Sequence, residues 1–303
     1  MENKDIWTRP ASAQTGIMHL KPAKALALLC CMLVICYILT AVVSLLLQRL
    51  VGHNPAAAIR MAAVLQDVLL FILPAVATAV MCTRRPAELL FINRFPGALT
   101  CLLMVVALVV AIPAMDGVIY WNYHWNWLPE SVQSLCRTLE NAAASTMNVI
   151  LEDTSVMALI VNVLIVGVAA GVAEEILFRG AILGILLRTR LNVHVSVWLV
   201  AFIFSAVHLQ LFGFVPRMLL GAYFGYLMIW SRSLWLPVLA HALNNTVFVC
   251  SAWWQASHGQ PLDQEPVLWG GWVTAGSVVL AAAAIWLLRR QASQSGSRFI
   301  SSM

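Results

Sequence analysis

The sequence Glu174-Glu175-Ile176-Leu177-Phe178-Arg179 places three charged residues inside a long apolar segment. The chain has 303 residues, of which 61% are hydrophobic and only 10% are charged. An ionisable side chain at the centre of a bilayer is costly, so such residues face the interior of a helix bundle and mark functional sites. The stretch therefore predicts a polar site within a membrane protein.

Apolar segments surround this stretch on both sides. A transmembrane helix needs about 20 predominantly apolar residues. On that criterion we expect about eight spans, at residues 23–48, 59–82, 97–119, 154–187, 192–209, 213–230, 234–253 and 267–288. The fourth is long enough to be one tilted helix, or a helix broken near Gly167-Val168-Ala169-Ala170-Gly171. The predicted fold class is all-α, a polytopic membrane protein with its helices in one bundle.

The chain shows no long linker and no repeat, so we expect one domain. It would consist of a cytoplasmic N-terminal segment, 1–22, and a single membrane domain, 23–290, whose catalytic core covers about 154–253. A flexible, polar, Ser-rich tail, 291–303, would follow.

The Lys and Arg residues of the loops predict the orientation in the membrane, because cytoplasmic loops carry an excess of both. Besides the basic N-terminus, the residues on the predicted cytoplasmic side are Arg84, Arg85, Arg94, Arg188, Arg190, Arg232, Arg289, Arg290 and Arg298. Arg49 and Arg60 are exceptions. The pattern predicts an integral, multi-pass protein with both termini cytoplasmic. The net charge of +5 is thus a topology signal, and no nucleic-acid partner is predicted.

Helical geometry separates the two glutamates. Residues four apart share a helix face, so Glu175 and Arg179 are expected to form an ion pair that supports the site. Glu174 is rotated by about 100° from Glu175. It is the carboxylate left free for chemistry.

Two further apolar segments supply the other candidate residues. His208 lies near the end of the fifth predicted span, and His241 and Asn245 share one face of the seventh. Asn244 points about 100° away from that face and is the weaker candidate. Glu174, with His208, would activate a water molecule for attack on an amide carbonyl. His241 and Asn245 would donate hydrogen bonds to the developing oxyanion.

A metal-dependent mechanism uses the same residues. Glu174, His208 and His241 make a His₂Glu set, one of the known catalytic zinc combinations, with water in the fourth position. The sequence does not choose between a divalent metal such as zinc and a metal-free mechanism.

The ordered set of polar residues resembles the motifs of the CPBP family of intramembrane proteases, named for CAAX proteases and bacteriocin-processing enzymes. Those motifs are E-E-x-x-x-R, F-x-x-x-H and H-x-x-x-N. Here they read Glu174-Glu175-x-x-x-Arg179, Phe204-x-x-x-His208 and His241-x-x-x-Asn245. The family includes the Ras-converting type II CAAX prenyl endopeptidase, which removes the last three residues of prenylated proteins.

The resemblance implies an eight-helix bundle with a water-accessible active-site cavity inside the membrane. It implies the same roles for Glu174, His208, His241 and Asn245 as the geometry does. The implied activity is that of an intramembrane protease, glutamate-dependent or a metalloprotease. Its partners would be the lipid bilayer and a membrane-associated protein or peptide, cleaved in CAAX-type C-terminal processing or in bacteriocin-related processing. The sequence indicates no oligomeric state.

Two other functions fit parts of the pattern. A non-catalytic membrane scaffold or regulator of the same family would keep the motifs. A small transporter with an intramembrane carboxylate would fit the buried charges, but transporters often consist of two repeated halves, and no repeat is evident here.

Overall fold

The computed structural model describes residues 20–260 and 266–300, with side chains described as far as residue 294, and this part of the chain is almost entirely helical without any strand. The main helices are α1 Pro22–Val51, α2 Pro55–Cys82, α3 Ala98–Val110, α4 Ile112–Tyr123, α5 Glu130–Leu151, α6 Val156–Leu186, α7 Val193–Ala206, α8 Phe214–Ser231, α9 Trp235–Ser257 and α10 Gly271–Ile300. Short one-turn helices lie at Pro86–Leu89 and Leu211–Gly213. The all-α fold class is therefore confirmed.

Fewer helices than expected are both long and apolar enough to cross a membrane. Within the described residues five pass on length and composition: α1, α2, α6, α8 with the turn before it, and α10. If α3 and α4, which are bent by 48° relative to each other, form one span together, the number rises to six. Helix α7 has only 14 residues, and α9 is long enough but carries His241, Asn244 and Asn245 in its middle. The several apolar helices make this an integral membrane protein, but the count of eight spans is not confirmed.

The fourth predicted span is one continuous helix, not a broken one. Helix α6 runs from Val156 to Leu186, with π-helical stretches at Val163–Ala169 and Ile176–Leu183. Helix α2 has a similar stretch at Asp67–Ile72. Single-turn π segments inside α-helices are frequent at functional sites, since the wider turn changes the direction of the side chains that follow. The two glutamates of α6 lie in the α-helical turn between its two π segments.

Two pairs of glycines, each spaced four residues apart, let helices of the bundle pack closely. A methyl group on Gly171 of α6 would lie 3.1 Å from the backbone nitrogen of Ala242 in α9. A methyl group on Gly225 of α8 would lie 2.9 Å from a methyl of Val197 in α7. Gly167 and Gly221 make equally close approaches to the same partner helices. Small residues at this spacing allow membrane helices to approach at backbone distance.

The segment between α7 and α8, residues 207–213, is held by the two preceding helices α4 and α5. Asn122 of α4 is fully buried; its side-chain amide donates to Leu211 O at 3.1 Å and its oxygen accepts from Val215 N at 2.9 Å. Glu140 of α5 accepts from Phe212 N at 2.9 Å. Helices α4 and α5 therefore fix the loop that carries His208.

The structure describes the C-terminal end of the chain more fully than the N-terminal end. Helix α10 continues to Ile300, so residues 291–300 of the predicted flexible tail are helical. Most of the predicted N-terminal segment, 1–22, lies outside the described residues. The cytoplasmic placement of both termini stays a prediction.

Replacing Gly171 by alanine is expected to lower the melting temperature of the detergent-solubilised protein. The new methyl group would press on the α9 backbone at 3.1–3.2 Å, and overpacking of this kind costs about 1–3 kcal/mol. The matched control is Gly276→Ala in α10, where a methyl group meets no described atom within 4 Å. A Gly171→Ala protein that melts no lower than the control would contradict the close approach of α6 and α9.

Candidate active site

Glu175 and Arg179 form a fully buried ion pair within α6. Arg179 Nη1 donates to Glu175 Oε1 at 2.6 Å, and both side chains have no exposed surface. The four-residue spacing puts both groups on one face, as the sequence predicted. Because two buried charges are costly when unpaired, each makes the other tolerable inside the bundle.

Arg179 also connects α6 to α7 and α8. Its Nη2 donates to Gly221 O of α8 at 2.8 Å. The guanidinium carbon lies 4.5 Å from the ring centre of Phe204 and 5.5 Å from that of Phe224. Aromatic faces stabilise a desolvated cation through the negative charge density of the ring. The guanidinium is therefore held by a carboxylate, a carbonyl and two rings, which come from three helices.

His241 of α9 is oriented by Glu175. Its Nδ1 lies 2.8 Å from Glu175 Oε1, and its ring stacks on Phe224 at 5.0 Å. An ionised carboxylate only accepts hydrogen bonds, so Nδ1 carries the proton. Nε2 then points toward the second glutamate, since it lies 3.7 Å from Glu174 Oε2.

Glu174 differs from its neighbour in accessibility. Its side chain is 15% exposed, whereas that of Glu175 is completely buried. The 100° rotation predicted from helix geometry thus separates a carboxylate bonded to Arg179 from one that can reach a small molecule. Of the two, Glu174 has the better access for a reacting water.

His208 lies just beyond the end of α7 and is brought near the same place. Its Nδ1 is 2.7 Å from Phe204 O. Because a carbonyl oxygen only accepts, this nitrogen also carries the proton, and Nε2 is left as a base in the neutral ring. The ring is close enough to His241 for their charges to interact. His208 makes no direct contact with Glu174 in this structure.

Asn245 lies one turn beyond His241 on α9. Its amide nitrogen donates to Val166 O in the first π-helical stretch of α6 at 3.3 Å. A side-chain amide carries two N–H donors, so one remains for another acceptor. Asn244 donates weakly to Asn245 Oδ1 at 3.4 Å.

The predicted zinc ligands do not form a metal-binding group in this arrangement. Within the described residues, no three His, Cys, Asp or Glu side chains are placed to share a metal ion. Glu174, His208 and His241 have the right chemistry for zinc, and a zinc ion bound by them stays a prediction.

Two ionisable residues near Glu174 are not among the predicted site residues. Asp67 lies in the π-helical stretch of α2, is 5% exposed, and its Oδ2 has no hydrogen-bond partner among the described residues. Arg217 lies in the first turn of α8. Both are near enough to Glu174 for their charges to interact. Each is a charged residue in an apolar segment, which is the same signal that singled out Glu174.

Replacing Arg179 by methionine is expected to destabilise the protein by about 3–5 kcal/mol, because Glu175 would be left as an unpaired buried charge. The double variant Glu175→Gln/Arg179→Met should recover part of this loss. Thermal unfolding in detergent measures both. The matched control is Arg85→Met, which breaks an exposed i,i+3 pair with Glu88 and should cost less than about 1 kcal/mol. Equal losses for Arg179→Met and Arg85→Met would contradict the structural role of the buried pair.

A protein-family model matches the part of the chain that contains the candidate site. Residues 156–247 match the protein-family model described as Type II CAAX prenyl endopeptidase Rce1-like. No curated protein and no solved structure matches the sequence. The matched segment begins with α6 and ends within α9, and it contains Glu174, Glu175, Arg179, His208, His241 and Asn245. The segment that carries these candidate residues, 156–247, is therefore similar to the Type II CAAX prenyl endopeptidase Rce1-like family.

Proposed function

We propose that the protein is an intramembrane endopeptidase that hydrolyses a peptide bond of a membrane-associated protein or peptide. The observation that carries the proposal is Glu174, an accessible carboxylate on a membrane helix whose neighbour, His241, is fixed by a second carboxylate. A carboxylate and imidazoles within reach of one water are the groups that general acid–base hydrolysis needs. The family match supports peptide-bond cleavage as the reaction.

In the proposed reaction, Glu174 takes a proton from a water molecule while the water oxygen attacks the scissile carbonyl carbon. Nε2 of His208 is a second acceptor that helps to orient this water. The carbonyl oxygen becomes an oxyanion, which the free N–H of Asn245 stabilises. Glu174 then gives its proton to the leaving amine as the carbon–nitrogen bond breaks, and the carboxylate is restored.

The role of His241 depends on its protonation state. When Nδ1 is bonded to Glu175 and the ring is neutral, Nε2 accepts rather than donates. A proton on Nε2 turns His241 into a donor for the oxyanion. The carboxylates of Glu174 and Glu175, at 3.7 and 2.8 Å, offset the positive charge that this creates.

The substrate proposed first is a protein with a CAAX-type C-terminus, because the matched family model describes prenyl endopeptidases. Peptide or bacteriocin-related processing uses the same chemistry and is the second candidate. Both place the substrate at the membrane, with lipid and a protein or peptide as the partners. Cytoplasmic termini, as the basic loops predict, belong to the same proposal.

Glu174→Gln is expected to abolish the new peptide termini that the wild type produces in its membranes, since the loss of a general base lowers kcat about 10²- to 10⁴-fold. Mass spectrometry of termini measures the difference at equal protein levels. Glu88→Gln, which alters an exposed ion pair, is the matched control and should cleave like the wild type.

Each sample would also be run with a chelator. Termini that persist support the glutamate-activated water, and their loss on chelation would overturn the metal-free reaction. Identical termini in the wild type and Glu174→Gln would contradict proteolysis and favour the non-catalytic scaffold.

The adjacent asparagines of α9 offer a second test. Asn245→Ala should lower kcat about 10²- to 10³-fold, as the loss of one oxyanion donor does. Asn244→Ala removes only a weak bond to Asn245 and should change kcat far less. Equal effects of the two substitutions on the cleavage rate would contradict the assignment of Asn245.

A further inference from the structure

Arg217 is a cation near the candidate site whose hydrogen-bonding capacity is not used up. Its Nη2 donates to Gln210 Oε1 at 2.7 Å. Its Nη1 is inaccessible to solvent and has no hydrogen-bond partner in the described part of the chain. A guanidinium carries five N–H donors, and a buried donor without an acceptor is unfavourable. The side chain is therefore prepared for a further acceptor.

The position of Arg217 places that acceptor beside the reacting groups. Arg217 lies in the first turn of α8, directly after the loop 207–213 that carries His208. Its charge interacts with those of Glu174 and His208, yet no described carboxylate lies within ion-pair distance of it. The nearby Glu140 already accepts from Phe212 N at 2.9 Å. Arg217 thus has an unused donor and lies near Glu174 and His208, without a direct ion pair to either glutamate.

The loop that positions Arg217 is firmly held, so the guanidinium is preorganised. Asn122 and Glu140 fix the loop backbone at Leu211, Phe212 and Val215. Ser205 Oγ donates to Phe214 O at 2.7 Å. A guanidinium held in place loses little side-chain entropy on binding, and its planar fork matches a carboxylate with two parallel hydrogen bonds.

We infer that Arg217 binds the C-terminal carboxylate of the substrate and so restricts cleavage to peptide bonds a few residues from a free C-terminus. Every substrate that is cleaved near its C-terminus carries the main-chain carboxylate, whatever its side chains are. This inference rests on the proposed function and makes Arg217 a substrate-binding residue, not a catalytic one. Glu174 and His208 would act at the cleaved bond while Arg217 holds the chain end. The spacing between these residues would then fix how many residues are removed.

The test uses two S-farnesylated peptides of identical sequence, with the modified cysteine fourth from the end. One ends in a free carboxylate and the other in a carboxamide. The full-length wild type, purified in detergent, is expected to cleave the acid with a kcat/KM about 10- to 100-fold higher, mainly through a lower KM, because a charge-assisted hydrogen bond is lost with the amide. In Arg217→Gln the two values should converge, and Arg217→Lys should restore part of the preference.

Arg137→Gln is the matched control. Arg137 is a cation of α5 that contacts the same loop, over the ring of Phe212 at 4.6 Å, and its removal should leave the preference for the acid intact. If Arg217→Gln fails to fold, inhibition of the wild type by the product tripeptide still tests whether the free carboxylate is bound. The released tripeptide as free acid should inhibit more strongly than the tripeptide amide.

The possible failures are distinguishable. Equal cleavage of the acid and the amide by the wild type overturns the role of Arg217 while proteolysis stands. A uniform loss of kcat on both peptides in Arg217→Gln also overturns it, and points to an oxyanion contact instead. If the wild type cleaves neither peptide but membranes still show termini that depend on Glu174, the C-terminal anchor is wrong. If those termini are missing as well, the proposed function itself fails.

Discussion

The bond between Glu175 and Arg179 holds together the four helices that carry the candidate site. One carboxylate oxygen of Glu175 accepts both from Arg179 at 2.6 Å and from His241 at 2.8 Å. Arg179 in turn donates to the backbone of α8 and lies against rings from α7 and α8. Because both charges are fully buried, neither can leave the arrangement without a large desolvation penalty. The pair therefore fixes α6, α7, α8 and α9 relative to one another and sets the orientation of a histidine at the same time.

Close backbone packing makes these short polar contacts possible. Gly171 brings α6 against the α9 backbone at His241 and Ala242, and Gly221 and Gly225 bring α8 against α7. In a membrane the lipid is as apolar as the side chains, so helices associate through packing and hydrogen bonds more than through hydrophobic burial. Larger residues at these positions would separate the helices and lengthen the contacts between them.

His208 and His241 form the same type of hydrogen bond. Each binds an acceptor through Nδ1, Phe204 O for His208 and Glu175 for His241. Each therefore leaves Nε2 without a proton in the neutral ring, and that of His241 lies 3.7 Å from Glu174 Oε2. The two acceptors differ in charge. A carboxylate can compensate a positive imidazolium and a backbone carbonyl can do so only weakly. This difference provides a physical reason to assign a base to His208 and an oxyanion donor to His241.

The all-α membrane class could be predicted from the apolar segments alone. The ion pair of Glu175 with Arg179 and the difference between the two glutamates could be predicted as well, because helical periodicity is local and fixes the relative direction of residues one or four apart. The count of eight spans is not confirmed, since five or six spans in the described residues pass on length and composition. A break in α6 was left open, because π-helical stretches such as Val163–Ala169 have no strong local signal. Only the tertiary structure brought His241 to Glu175 and placed Asp67 and Arg217 near Glu174. Those relations join helices far apart in sequence, and they depend on the distance and rotation between packed helices, which no local pattern encodes.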